Sequence, residues 1–399
     1  MNIIFITQVW PLSEQSNMYS ELVEAIQTNG NIVYVVVLNE KRNKANPGLS
    51  HENGFTVLRV PCGNIQKTNK YEKVISSILA GPSLLRYVKR YFGREKIDLI
   101  VWALSTNLIS NSIYRIKKMF SAPLYLLLKE YWPQDPCDLG AMKKDGFVYR
   151  FIDRFQRITI HIADYIGTCS VAGIDYIRKN YAKYSKGVLE VCPNCERNKT
   201  IDISRRAEIR SRYGIKENDV VFIFGGNLGV SQGIDDMILC ISEAADIPGV
   251  VFLIMGSGTE YVKVEKYFEK GFDNVKVLPS VPQNEFFELC CVCDVGMIFL
   301  YKDYHVPNIP GKFTTYLNAG LPVLAAVDTT TDVGIICKEN DCGYHLLNGD
   351  IARFRECVQE LKIIDNRKTK GQNAKALFLN VYDTKNACEV VLSHFSSPK

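Results

Sequence analysis

The stretch VVFIFGGNLGVSQGIDDMILCISEAA (Val220–Ala245) joins a short β-branched and aromatic run to a glycine-rich turn and then to a segment of helical period. A strand at Val220–Phe224 followed by a helix at Ile234–Ala245 is one half of a βαβ unit. The alternation continues downstream with strands at Val250–Met255, Val275–Leu278, Val295–Phe299 and Val323–Ala326, and helices at Glu260–Glu269, Asn284–Cys291 and Lys312–Asn318. Upstream, strands at Ile3–Ile6, Ile32–Leu38, Leu99–Trp102, Leu124–Leu128 and Tyr165–Thr168 alternate with helices at Asn17–Asn29, Tyr71–Phe92, Asn107–Met119, Phe147–Ile162 and Ala172–Asn180. Alternation of this kind predicts parallel sheets covered by helices on both faces.

The pattern breaks over Val191–Asp202, where Pro193, Asn194 and Asn198 replace apolar periodicity, and resumes with a helix near Ser204–Tyr213. The chain therefore reads as two tandem, doubly wound α/β domains, residues 1–195 and 196–384. A last helix near Asn386–Phe395 leaves residues 385–399 able to pack back on the first domain. Sheets of this type take ligands outside the carboxyl ends of their strands, so a cleft between two of them is the expected site.

Length agrees, because 399 residues exceed what one core supports, about 250–300. The net charge of +5 is a mild excess that fits small anions or a membrane surface better than nucleic acid. Thirteen cysteines are too few for a disulfide scaffold in a chain this long, which points to a reducing, cytoplasmic setting. Cys192 and Cys195 form a single CxxC whose conceivable partners, Cys290, Cys291 and Cys293, sit in an apolar helix end; no metal site is expected. Ile3–Ile6 reads as a core strand rather than a signal segment. No run approaches the ~18 apolar residues of a spanning helix, so membrane contact is expected to be peripheral.

Three stretches carry possible chemistry. In FGGNLGVSQG (Phe224–Gly233), Gly225, Gly226 and Gly229 bring bare amides near a helix start, which reads equally as a phosphate cradle or as a ligand-free turn. MGSGTE (Met255–Glu260) repeats the arrangement, but Tyr261 stands where a dinucleotide fingerprint needs its last glycine. In NIPGKFTTYLNAGLPVLA (Asn308–Ala325), Lys312 is the lone charge and falls in the first turn of a helix. The helix dipole disfavours a cation there unless an anion binds beside it. The alternative is a lysine that snorkels to solvent.

Together with KEYWPQDPCDLG (Lys129–Gly140), these stretches resemble retaining glycosyltransferases of family 4, in the subgroup of bacterial N-acetyl-L-fucosamine transferases. The resemblance implies the GT-B fold: two Rossmann-like domains with an interdomain cleft, the first binding acceptor and the second binding donor. It further implies metal-independent transfer of an amino or deoxy sugar from a nucleotide diphosphate, uridine-linked, to a polyprenyl-diphosphate-linked saccharide at the cytoplasmic face of the inner membrane. Carried over by position, Gly226, Asn227, Gly229, Gln232 and Gly256 line the donor phosphates. Pro310 and Gly311 shape the turn that presents Lys312 to the diphosphate. Val277 and Leu278 hold the base. The family's glutamate pair is replaced by Pro307 and Thr315, and its loop arginine and lysine by Asn227 and Gln232.

On the acceptor side Glu130 is the candidate for polarising a hydroxyl and Lys129 for assisting the diphosphate, with Gln134 and Asp138 beside them; the same residues also read as a polar loop closing the sheet. Ser16, read as the N-cap of the first helix, and His305, in the loop before Lys312, are further candidates for sugar contacts. Ser83–Arg94 and Lys143–Arg157 are basic and aromatic, and read either as membrane-facing or as core helices with a solvated face. A nucleotide-sugar 2-epimerase of the same fold and a non-catalytic sugar-nucleotide-binding subunit are the competing functions.

Overall fold

In the computed structural model, eight strands form the first sheet. They are β1 (Asn2–Thr7), β2 (Ile32–Glu40), β3 (Gly48–Glu52), β4 (Phe55–Cys62), β5 (Leu99–Ala103), β6 (Leu124–Leu128), β7 (Tyr165–Thr168) and β8 (Val188–Val191). Their order is β3-β4-β2-β1-β5-β6-β7-β8, and every pair is parallel except β3 with β4. The structure describes all residues except 12–14, 66–67, 69, 105 and 396–399, so the end of the 385–399 segment lies outside the described residues. This sheet belongs to a unit of Met1–Pro193 with Thr384–Lys399; Asn194–Asp383 form a second unit.

The central strands are apolar without alternation because helices cover both faces: Ile3–Ile6, Leu99–Ala103 and Leu124–Leu128 are all buried. The first helix, Met18–Thr28, is capped by Asn17 rather than by the expected Ser16. The Asn17 side chain accepts from the amides of Tyr19 (3.0 Å) and Ser20 (2.9 Å), while the Asn17 amide donates to the Ser20 hydroxyl (2.9 Å). Ser16 instead donates to Glu21 Oε1 at 2.8 Å. The hairpin β3–β4 turns on Asn53 and Gly54, both at positive φ (50° and 83°), the conformation a two-residue hairpin needs. The helix Thr384–Ser393 packs on Met18–Thr28, and beyond it the His394 ring stacks on Tyr165 (4.1 Å) and reaches Glu190 Oε2 (2.8 Å).

The second unit holds β9 (Val220–Asn227), β10 (Val250–Ser257), β11 (Val275–Pro279), β12 (Val295–Phe299), β13 (Val323–Ala326) and β14 (Gly343–Leu346), ordered β11-β10-β9-β12-β13-β14 and all parallel. Phe222, Phe224, Phe252, Phe299 and Phe354 are fully buried in its core, each worth about 1.5–3 kcal/mol in burial. Strand order reverses between β9 and β12, which leaves a crevice at their carboxyl ends. In the first sheet the reversal falls between β1 and β5.

Candidate active site

The switch point of the second unit collects most of the residues expected to hold a donor. β9 runs past Phe224 through Gly225, Gly226 and Asn227, then the chain turns through Val230–Gln232 into the helix Ile234–Ala244. Opposite, β12 ends at Phe299, and a loop leads to the helix Gly311–Asn318, capped by Pro310. The Tyr301 amide donates to Ser231 O at 3.0 Å, which ties the two crossings together. Gly233, at φ 56°, is required here because a Cβ would strike the Leu300 carbonyl.

Lys312 projects into this crevice. Its Nζ donates to Gln232 Oε1 at 2.7 Å and lies 3.5 Å from the centroid of the Phe224 ring. It has no carboxylate partner among the described residues. Burial, with no compensating charge, pushes its ammonium well below the ordinary lysine value. Although the residue as a whole keeps partial exposure, its charged end is the part enclosed. Phe224, which faces the ammonium, and Gln232, which orients it, act as a pair: one offers the negative face of a ring, the other a carbonyl oxygen.

The glycines divide by role. Gly226 is exposed, at φ 105°, with open space where a Cβ would stand, and Asn227 is exposed beside it. Gly225 does not contribute a free amide, contrary to expectation: its N–H donates to the Tyr316 hydroxyl at 3.1 Å, and Phe286 fills its Cβ position. Gly256 faces Gly226 across the β9–β10 ladder, so a side chain there would collide with the Gly226 carbonyl. Its lack of a side chain serves strand packing. Gly229 packs against the Asn227 side chain. Val277 and Leu278 lie on β11, an edge strand whose outer backbone groups have no neighbouring strand among the described residues.

Thr315 turns away from the crevice. Its buried hydroxyl donates to Glu196 Oε1, and Asn318 donates to Glu196 Oε2 at 3.4 Å. It braces the segment after β8 against the helix rather than lining a donor pocket. His305 is exposed in the loop that precedes the helix.

In the first unit the two charged residues after β6 part company. Lys129 donates to the Cys192 carbonyl, so its ammonium anchors the end of β8 rather than reaching toward a diphosphate. Glu130 Oε2 accepts from Trp132 Nε1 at 2.9 Å. Its carboxyl is pushed up to about 7, first by burial and further by Asp135, against the lowering by Trp132 and Lys73. The residue as a whole is exposed, so this is a carboxyl set among neighbouring groups yet open to a ligand. The Trp132–Pro133 bond is cis, and Lys73 Nζ stands 4.7 Å from the Trp132 ring. Gln134 and Asp138 bind each other (2.6 Å) across one turn of the helix Gln134–Asp138, and Tyr149 donates to Gln134 Oε1 at 3.4 Å. Ser16 is spent on Glu21.

Sequence reasoning missed Phe224 and Tyr316 as parts of the crevice and Glu196 as the partner of Thr315. Tyr316 lies one helical turn after Lys312, a spacing that was readable; the Glu196 contact spans 119 residues and was not.

No family model matches the chain. It is 21% identical over 249 residues to WcaI of Escherichia coli (strain K12), described as a glycosyl transferase of colanic acid biosynthesis, covering 61% of each chain. It is 20% identical over 241 residues to the glycosyltransferase WbjE of Pseudomonas aeruginosa, covering 60% of each. The matched region thus spans about three fifths of the length of these curated relatives. Among solved structures, sucrose-phosphate synthase from Thermosynechococcus elongatus superposes with a TM-score of 0.75 at 13% identity, covering 99% of this chain and 98% of that one. WaaG, a glycosyltransferase involved in lipopolysaccharide biosynthesis, gives 0.67 at 15% identity, covering 99% and 100%. HepE of Anabaena, in complex with UDP-glucose, gives 0.69 at 15%, also covering 99% and 100%. The fold is GT-B, built from two Rossmann-like domains.

Proposed function

We propose that this protein is a retaining glycosyltransferase. It moves an amino or deoxy sugar, of the N-acetylfucosamine type, from a uridine diphosphate donor to a lipid-linked glycan in surface-polysaccharide assembly. The second unit binds the donor, and the first supplies contacts to the acceptor and to the membrane surface. The observation that carries this reading is Lys312: an enclosed ammonium with no carboxylate partner among the described residues, in the first turn of a helix at the switch point. Such a group gains most when a diphosphate arrives beside it. The relatives named as glycosyltransferases and the fold neighbour that holds UDP-glucose support the same class.

The chemistry follows from where charge grows. As the bond between sugar and diphosphate breaks, the departing phosphate becomes more anionic, and Lys312 with the first-turn amides of its helix stabilises it more in the transition state than before. Glu130, with its raised carboxyl, polarises the acceptor hydroxyl near neutral pH. The edge backbone of Val277 and Leu278 reads the base.

The test is thermal stabilisation by nucleotide diphosphates. UDP at 100 times its dissociation constant is expected to stabilise the wild type by about 2.7 kcal/mol, and Lys312→Ala to lose most of that gain. A wild type that no nucleotide diphosphate stabilises ends this reading.

A further inference from the structure

The helix Phe147–Ile162 carries a second cationic feature, in the first unit and separate from the Lys312 crevice. Phe147, Arg150, Arg154 and Arg157 recur at intervals of three, four and three residues, which places them on one face, while Ile152, Gln156, Thr159 and Ile160 are buried on the other. The three arginines and Lys144 line a cavity of about 430 Å³ against the helix Val171–Tyr181.

Two acids line it as well. Asp153 is already taken: it pairs with Arg157 at 2.5 Å and accepts from the Tyr181 hydroxyl at 3.0 Å. Asp145 lies in the turn before the helix. Arg157 is further held by the Tyr184 hydroxyl at 3.1 Å. Arg150, Arg154 and Lys144 have no salt-bridge partner among the described residues. At the start of the same helix, Phe147 is 86% exposed and Val148 49%. Phe147 is the most exposed of the large apolar side chains described, and an uncovered aromatic one turn from unpaired guanidinium groups is an amphiphile-binding pattern rather than an ordinary solvated face.

We propose that this pocket seats the phosphate of an anionic membrane lipid between Arg150, Arg154 and Lys144, with Phe147 and Val148 entering the apolar edge of the bilayer. Arginine forks match phosphate oxygens in pairs, and the two apolar residues supply burial that a soluble anion would not need. The inference deepens the membrane-facing part of the proposed function, but it is measured without any sugar transfer.

The experiment is co-sedimentation of the full chain with vesicles of phosphatidylcholine alone and of phosphatidylcholine mixed with phosphatidylglycerol. The wild type is expected to bind the mixed vesicles and not the neutral ones. Arg150→Glu with Arg154→Glu is expected to weaken that binding roughly tenfold or more, and Phe147→Ser several-fold. UDP-induced stabilisation, read on the same preparations, reports the other unit. Its loss in the wild type would end the transferase reading while leaving vesicle binding to decide this one. Equal binding to neutral vesicles, or binding to mixed vesicles that the double charge reversal leaves intact, overturns the proposal. Release from mixed vesicles by soluble glycerol phosphate at equal phosphate concentration also overturns it, because the partner is then a free phosphate.

Discussion

The crevice between the carboxyl ends of β9 and β12 and the carboxyl end of β6 both hold charged side chains where an α/β sheet binds ligands, and they handle that charge in opposite ways. After β6 most of the polar groups are taken, Lys129 by the Cys192 carbonyl and Gln134 by Asp138, while Glu130 accepts from the Trp132 indole and stays open to a ligand. In the crevice the Lys312 ammonium has only a neutral carbonyl and a ring face. A satisfied cluster stabilises the fold, whereas an enclosed cation without an anion costs the folded state and stores affinity for one. The comparison marks the crevice of the second unit as the place where an anion gains most from binding.

Removing the stored charge is the strongest way to break this contrast. Lys312→Ala is expected to lower sugar transfer ~10²–10³-fold, as loss of one preorganised charge stabiliser does. It should also raise the thermal stability of the protein without ligand. A variant that transfers sugar at the wild-type rate would reduce Lys312 to a packing residue. Glu130→Gln should lower transfer by roughly 10²-fold while leaving UDP stabilisation unchanged. The wild-type rate should climb through about pH 7 as the carboxyl ionises, and the climb should vanish in the variant. Because the folded carboxyl is raised, Glu130 costs stability as pH rises from the ordinary glutamate range through about 7, a loss that Glu130→Gln removes in pH-dependent melting.

Smaller effects sharpen the same contrast. Thr315→Val deprives the buried Glu196 of one donor and is expected to cost about 1–3 kcal/mol in denaturant unfolding, with no loss of UDP affinity. A loss of affinity instead would return Thr315 to the donor pocket. The smallest signal is in protons. Lys312 lies below its usual value of 10.5 in the free protein, and a bound diphosphate raises it again. Binding between those two values therefore takes up a fraction of a proton and weakens as pH rises. Calorimetry in buffers of different ionisation enthalpy reads this uptake, and Lys312→Met should abolish it.

Much of the architecture was legible because parallel strands buried on both faces leave continuous apolar runs: Val295–Phe299 and Val323–Ala326 coincide with β12 and β13 residue for residue. The β3–β4 hairpin was not read, although Asn53-Gly54 is its turn signal, because the polar strand Ser50-His51-Glu52 hides it from a search for apolar periodicity. The strands β8 and β14 escaped for a different reason: both lie at a sheet edge and are only partly buried, so neither shows the continuous apolar run that marks the central strands.

The sequence by itself determined the α/β alternation, the glycine turns after β9 and β10, and the presence of one lysine in the first turn of an otherwise uncharged helix. These are local properties, set by side-chain period and backbone freedom. Only the tertiary structure decided which charges were already answered. It gave Lys129 to Cys192, Thr315 to Glu196 and the Gly225 amide to Tyr316, and it left Lys312 on Phe224 and Gln232. Whether a polar group is spent or available depends on partners that can lie 63 to 119 residues away, and those distances close only when the sheet orders its strands.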